Sequence, residues 1–313
     1  MLTRTIAHYR EKQKETLVSA CKLFGVNRQV YYRRIHSKSK RQETANEVVG
    51  MVLDIRKQMP RIGTRKLYYL LEKPLRELSV GRDKLFSILN ANHLSIRPKR
   101  SYRITTNSHH RFHKHKNLVA DMPLIRPEQL WVSDITYVGN RSKHSYLALI
   151  TDAYSKKVVG YDMSNNLSVE GTLSALKMAV KQRLYKDEPL IHHSDRGIQY
   201  CCDEYQKLLG KKQITCSMTE SYDPYANAVA ERVNGILKDE FLLEQYDVDM
   251  QTMKKLVKDS VNIYNTKRPH YSCYMLTPEQ MHLQKTVRIR TYKKQMDSRR
   301  PSNHLLNHLY LSY

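Results

Sequence analysis

The hydrophobic pattern changes period near Leu130, and that change limits the possible folds more than any other feature of the chain. Upstream, apolar residues recur in three- and four-residue steps. Leu17, Ala20, Cys21 and Phe24 form one such set; Val48, Met51, Val52 and Ile55 form another; Leu67, Leu70 and Leu71, then Leu85, Ile88 and Leu89, form two more. Steps of this kind line one face of a helix. Downstream, short β-rich runs (LWVSDITYV, HSYLALITDAYS, KKVVGYDMS, PLIHHSD, ITCSMT) are interleaved with helical stretches over Val169 to Leu184, Cys202 to Lys212, Asn227 to Leu243 and 252–264. Three strands followed by alternating helices and strands is an α/β order. It predicts a five-stranded mixed sheet flanked by helices, preceded by an all-α region.

Local signals punctuate the helical part. Gly25 supplies a stop for the first helix and Asn27 a cap for the next. Helix, short glycine-containing turn and helix make a helix-turn-helix outline. The second of these helices carries Arg28, Arg33 and Arg34, suited to phosphates or base edges; a solvated basic face is the plainer reading. Thr44 and Glu47 have capping-box spacing, which predicts a separate helix starting there. Thr64 is read as the cap of a following helix, and Gly81 precedes another. Arg82, Lys84, Arg97, Lys99 and Arg100 surround that last helix, a second helix-turn-helix candidate. Near the other end, Thr277 and Pro278 open a short helix.

Charge sharpens this division. The 313 residues carry 54 Lys and Arg against 30 Asp and Glu, a net +24. Residues 1–128 hold 28 basic and 10 acidic side chains, residues 129–284 hold 19 of each, and residues 285–313 hold 7 and 1. A strongly basic flank is suited to a polyanion, of which nucleic acid is the usual one. The neutral middle is the part free to do chemistry. The expected segments are a helix-turn-helix-like stretch at 1–40, a second helical DNA-binding domain at 41–100, a basic linker at 101–128, a catalytic core with closing helices at 129–284 and a basic tail at 285–313. In the linker, His109, His110, His113 and His115 lie far from any cysteine, so a connecting segment is favoured over a structural zinc site. Five cysteines without CxxC spacing point to a reducing compartment. No apolar leader or membrane-length stretch is present.

Three acids stand out by placement. Asp134 lies inside the first β-rich run, Asp195 ends PLIHHSD, and Glu231 falls early in a long helix, 36 positions after Asp195. An acid in an apolar strand is costly unless it is paired or binds a cation. If the two strands are neighbours and the helix packs beside them, the three carboxylates meet at one sheet end. Such a set suits hard cations, Mg²⁺ or Mn²⁺, and two ions together can clamp the attacking and leaving oxygens of a phosphodiester displacement. Salt bridges or helix caps are the alternative. Asp152, Asp162 and Asp223 are read as strand-pairing and turn residues instead.

WVSDITYV, HHSDRGIQY and NAVAERVNGILKDEF resemble the three catalytic blocks of the integrase-core transposases. The chain is more closely similar to the second-reading-frame (OrfB) transposases of the bacterial insertion-sequence-three family. RIGTRKLYYLL with VGRDKLFSILNANHL resembles that family's upstream helix-turn-helix, and YNTKRPHYSCYMLTPEQ its closing motif. The resemblance covers most of residues 15–284. It implies a ribonuclease-H-like core, two divalent ions on Asp134, Asp195 and Glu231, and cleavage and strand transfer on double-stranded DNA, namely the element's terminal inverted repeats and a target. It also implies a homo-oligomer on DNA, a first-reading-frame partner or frameshift fusion, and a bacterial cytoplasmic, nucleoid-associated setting. A silent DNA-binding regulator and a nuclease that cuts without joining stay open.

With that fold, Asn227, Asn234 and Lys238 share the face of Glu231. Lys238 is a candidate for holding a DNA phosphate, against a solvated helix lysine. His193 points to the same strand face as Asp195, to touch substrate or, as favoured, to pack at the rim. Gly197, Arg196, Gln199 and Tyr200 follow Asp195 in a turn. Arg268 and His270 contact DNA or brace the core; the sequence does not choose.

Overall fold

A computed structural model of the protein describes residues 2–96, 115–119, 122–139, 145–219 and 228–284. The first helices are α1 (Leu2–Gln13), α2 (Leu17–Leu23) and α3 (Arg28–Gln58). Ile6, Ala20, Cys21 and Tyr31 form their small core. Both expected punctuation marks operate here. Gly25 takes φ +63°, and the Asn27 side chain accepts from the backbone of Gln29 at 2.8 Å.

The helix expected to start at Thr44 does not start there. α3 runs unbroken for 31 residues, so positions 40 and 41 lie in mid-helix. The Thr44 hydroxyl instead donates back to the Lys40 carbonyl at 2.9 Å, the usual accommodation of a threonine inside a helix. Residues 28–49 contain no glycine or proline, so nothing breaks the helix before the capping signal is reached.

Next come α4 (Thr64–Leu70), α5 (Glu72–Glu77) and α6 (Arg82–Ala91). Gly63, not Thr64, occupies the cap of α4, and Thr64 is a buried first-turn residue. Gly81 caps α6 as expected.

The α/β part contains β1 (Leu130–Val138), β2 (Ser145–Asp152), β3 (Val158–Ser164), α7 (Val169–Gln182), β4 (Leu190–Ser194), α8 (Ile198–Cys201), α9 (Asp203–Lys211), β5 (Ile214–Met218), α10 (Ala228–Glu240), α11 (Met250–Thr266) and α12 (Pro278–His282). The sheet order is β3-β2-β1-β4-β5. β1 pairs antiparallel with β2 and parallel with β4; β2 with β3 is antiparallel and β4 with β5 parallel. This is the five-stranded mixed sheet of a ribonuclease-H-like fold.

Strand alternation divides the core. Trp131, Ala148 and Ile150 face α7 and α9, with Leu173, Leu176, Tyr205 and Leu209. Gly160 admits α7 close to β3, because a Cβ there would collide with the Ala175 carbonyl oxygen. On the other face, Val138, Leu147 and Leu149 meet Val233, Ile236 and Leu237 of α10 and Val257 and Val261 of α11. That same cluster continues into Val48, Val52, Ile62, Leu67, Leu85 and Leu89. The helices over 48–91 therefore share one apolar core with the sheet, although the sequence places them in a separate domain.

The closing motif is a set of staples. The Asn265 amide pairs with both backbone groups of Val158, accepting at 3.0 Å and donating at 2.9 Å. The Tyr264 hydroxyl donates to the Lys156 carbonyl at 2.9 Å. Thr277 and Gln280 form a full capping box at the start of α12. Among the described residues no helix is long and apolar enough to cross a membrane.

Candidate active site

Asp134 sits at the middle of β1, the central strand, on the face that meets α10. Asp195 directly follows β4, the parallel neighbour of β1. Glu231 lies in the first turn of α10. The sheet order and the helix packing thus bring three acids from distant parts of the sequence to one place.

Side-chain contacts define the centre. The Asn234 amide donates to Asp134 Oδ2 at 2.7 Å, and the Ile135 N–H donates to Oδ1 at 2.9 Å. Asn234 lies three positions after Glu231, so its bond to Asp134 fixes the Glu231 face of α10 against β1. Asp195 is held by the Gly197 N–H, which donates to its Oδ1 at 3.0 Å. A Cβ on Gly197 would stand 3.0 Å from that same oxygen, so glycine lets the turn fold tightly around the carboxylate.

The electrostatics are those of crowded anions. Burial, then the Asp195 charge, and more weakly the Glu231 charge, push Asp134 up to about 7, against the opposing hydrogen bonds from Asn234 and Ile135.

Among the described residues no three His, Cys, Asp or Glu side chains close into a ready-made ion cage. The donor set nevertheless fits hard divalent cations: it is all carboxylate, half-buried at Asp134 and Asp195 and exposed at Glu231. Asn234 Oδ1 and the Tyr200 hydroxyl are both buried without a hydrogen-bond partner. Burial, then the charges of Asp195, Tyr205 and Asp134, push the Tyr200 phenol up, which places it beside the acids. One orphaned acceptor and one orphaned donor at such a site suit ordered water around an ion.

The other sequence candidates sort clearly. Lys238 Nζ donates to Thr136 Oγ1 at 3.3 Å and pairs with Glu244 at 2.8 Å. It is therefore an anchored side chain, neither solvated nor free. His193 is buried and shares a 2.9 Å hydrogen bond with Ser217, in keeping with packing at the rim. Asp152 and Asp162 are not in the cluster. Asp152 accepts from the Glu128 and Ser155 backbones at 2.7 Å each, and Asp162 accepts from Ser174 at 3.2 Å. Arg28, Arg33, Arg34, Arg82 and Lys84 are exposed and far along the helical region. Asn227, Arg97, Lys99, Arg100, Asp223, the tail 285–313, and His109, His110 and His113 lie outside the described residues.

Sequence reasoning left Arg268 undecided and missed its partner. Arg268 is 1% exposed. It donates through Nε to Glu240 Oε2 and through Nη2 to Glu240 Oε1, both at 2.8 Å. Lys66 of α4 donates to the same Oε1 at 3.1 Å. Arg268 therefore braces the core. Burial raises the Glu240 carboxyl, but the hydrogen bond and charge of Arg268, then those of Lys66, outweigh it and hold the group at about 2. His270 is lowered to about 3 by burial and then by Arg268. Also missed was a buried knot of Glu128, Asp152, Ser155 and His282, in which Ser155 Oγ lies 2.9 Å from His282 Nδ1 and His282 Nε2 lies 3.4 Å from Glu128. It ties α12 to the sheet. Nothing in the local sequence around Glu128 announces this.

Comparison with known proteins identifies the family. Residues 125–224 match a family model described as integrase core domain, and residues 212–278 match a second with the same description. A 31 kDa protein of insertion element IS600 from Shigella sonnei is 31% identical over 262 residues, covering 82% of this chain and 95% of that protein. Transposase InsF of insertion sequence IS3A from Escherichia coli K12 is 34% identical over 155 residues, 49% of this chain and 54% of InsF. The chain belongs to the integrase-core transposases of the IS3 type. Among solved structures, the catalytic core domain of HTLV-2 integrase in complex with magnesium is 20% identical with a TM-score of 0.41, covering 50% of this chain and 98% of that one.

Proposed function

We propose that this transposase cuts DNA at the ends of its element and joins the freed ends to a second phosphodiester, using divalent ions held by Asp134, Asp195 and Glu231. The observation that carries the proposal is the convergence of acids: Asn234, three positions after Glu231 on α10, donates to Asp134 on the central strand, and Asp195 directly follows β4, the parallel neighbour of that strand. An arrangement this unfavourable to itself is relieved by cations. Two Mg²⁺ or Mn²⁺ ions would supply charge stabilisation at the reacting phosphate and orientation of the attacking and leaving oxygens.

The chain's own residues keep the site in order. Asn234 and the Ile135 N–H hold the Asp134 carboxylate, leaving its remaining lone pairs for a ligand. Gly197 holds Asp195. In the cutting step water attacks phosphorus and the bond to the 3′ oxygen breaks, leaving a 3′-hydroxyl. In the joining step that hydroxyl attacks a second phosphorus and displaces another oxygen. No side chain needs to bond to DNA covalently, because positioning and charge provide the rate.

Double-stranded terminal repeats and target DNA are the proposed partners, held by a homo-oligomer, with a first-reading-frame protein as a further partner or fusion. The bacterial cytoplasm, at the nucleoid, is the proposed setting. The test is to incubate the protein with labelled terminal-repeat DNA and Mg²⁺, Mn²⁺ or EDTA, comparing wild type with Glu231→Gln. Metal-dependent joined products from wild type, and none from a variant that still binds DNA, are the expected result. Cleavage without joining would make the protein a nuclease. Binding without either reaction would make it a regulator.

A further inference from the structure

The longest helix poses a physical puzzle. α3 is 31 residues long, yet its middle packs against nothing: residues 32–43 are exposed apart from half-buried Ser37. An exposed helix of this length is expected to be stabilised by alternating charges. Instead, no acidic residue occurs between Glu15 and Glu43, while Arg28, Arg33, Arg34, Lys38, Lys40 and Arg41 do. Among the described residues, none of Arg33, Arg34, Lys38, Lys40 and Arg41 pairs with an acidic side chain.

The placement of these cations is not even around the helix. Steps of seven return to nearly the same side of a helix. One such row is Tyr31, Lys38, Ala45 and Val52; the adjacent row, three positions on, is Arg34, Arg41, Val48 and Ile55. Tyr31 is buried in the first small core, and Val48 and Val52 are buried in the main one. The same side of α3 therefore carries a helical unit at each end and, between them, a bare strip of Arg34, Lys38 and Arg41. Ser37 and Gln42 border that strip, and Arg33, Ile35 and Lys40 lie farther round. Tyr32, His36, Ser39 and Glu43 lie on the opposite side. From Tyr31 to Val48 the helix rises about 26 Å.

We propose that this strip is a DNA-binding saddle: a duplex lies against this side of α3, and Arg34, Lys38 and Arg41 contact its phosphates. The occupant is DNA because the strip offers three exposed cations on one side of the helix, no acidic partner for them among the described residues and no apolar side chain of its own. Contacts of this kind carry position rather than sequence. The saddle lies outside the acid cluster, and the inference deepens the proposed DNA transaction by saying where the helical region grips its substrate.

The full-length protein tests this in EDTA, where no chemistry occurs, so the outcome is independent of the catalytic proposal. Binding to a fluorescent duplex of arbitrary sequence is measured by anisotropy at several salt concentrations. Wild type is compared with Arg34→Ala/Lys38→Ala/Arg41→Ala, with the opposite-side control His36→Ala/Ser39→Ala, and with charge-preserving Lys38→Arg/Arg41→Lys. Alanine favours helix at exposed positions, and circular dichroism checks that the helix persists. The triple variant is expected to lose about tenfold or more in affinity and to flatten the slope of log affinity against log salt by about 3, one phosphate contact per cation. The control and the charge-preserving variant are expected to match wild type. Unchanged affinity and slope would make α3 a solvated spacer. Weaker binding with an unchanged slope would mean lost structure rather than lost phosphate contacts. Loss of polyglutamate binding with duplex binding intact would assign the strip to an acidic protein. Each of these three results overturns the proposal.

Discussion

The two ends of α10 place glutamates in opposite electrostatic settings. Glu231, in the first turn, joins Asp134 and Asp195 in a cluster of anions. Glu240, in the last turn, is clamped by Arg268 and Lys66. The consequence is visible in the carboxyls: Asp134 is pushed up to about 7 and Glu240 is held down at about 2. One helix thus joins a cluster of like charges at its start and is secured by cations at its end. Lys66 belongs to α4, so the secured end also fastens the helical region to the sheet. An arrangement that destabilises the empty fold points to function, and one that stabilises it points to architecture.

Breaking the secured end should have the larger effect on stability. Glu240→Gln leaves Arg268 buried beside a neutral partner, which costs about 3 kcal/mol. Urea unfolding at neutral pH checks this. A carboxyl held down in the fold stabilises it above the ordinary carboxylate range and loses that contribution as pH falls towards about 2. The gap between wild type and variant should therefore be full at pH 7 and shrink between roughly pH 4.5 and 2. A gap independent of pH would mean that the ion pairs contribute little.

Relieving the crowded end should have the opposite sign. Asp134→Asn removes a carboxyl whose charged form is penalised, so the metal-free variant should melt a few degrees above wild type at pH 8. Because the Asp134 carboxyl is raised, the penalty is absent well below its ordinary range and grows as pH rises to about 7. The difference should accordingly widen from pH 4 to pH 7 and then level off. A variant that melts below wild type at pH 8 would show Asp134 to be structural.

Much of this contrast was legible in the sequence, and the unread part has a physical reason. Asp134, Asp195 and Glu231 stood out because each interrupts an apolar run or an amphipathic helix, and the strand-helix order placed them on neighbouring elements. Thr277 and Asn27 announced their caps because capping is local. Glu240, Arg268 and Lys66 could not be paired from sequence: Lys66 lies 174 positions from Glu240, and each alone resembles an ordinary surface charge. The same holds for Glu128 and His282. Thr44 misled for the converse reason. Its local spacing signals a cap, but without a glycine or proline nearby the helix continues and absorbs it.

The central claim is that the three acids hold divalent ions over DNA. Counting Mn²⁺ bound to the protein–duplex complex by electron paramagnetic resonance tests it most directly, for wild type and for Asp134→Asn, Asp195→Asn and Glu231→Gln. The account predicts two bound ions in wild type and a loss in every variant, with duplex affinity retained. An unchanged count in any one of the three would remove that acid from the site, and an unchanged count in all three would contradict the account.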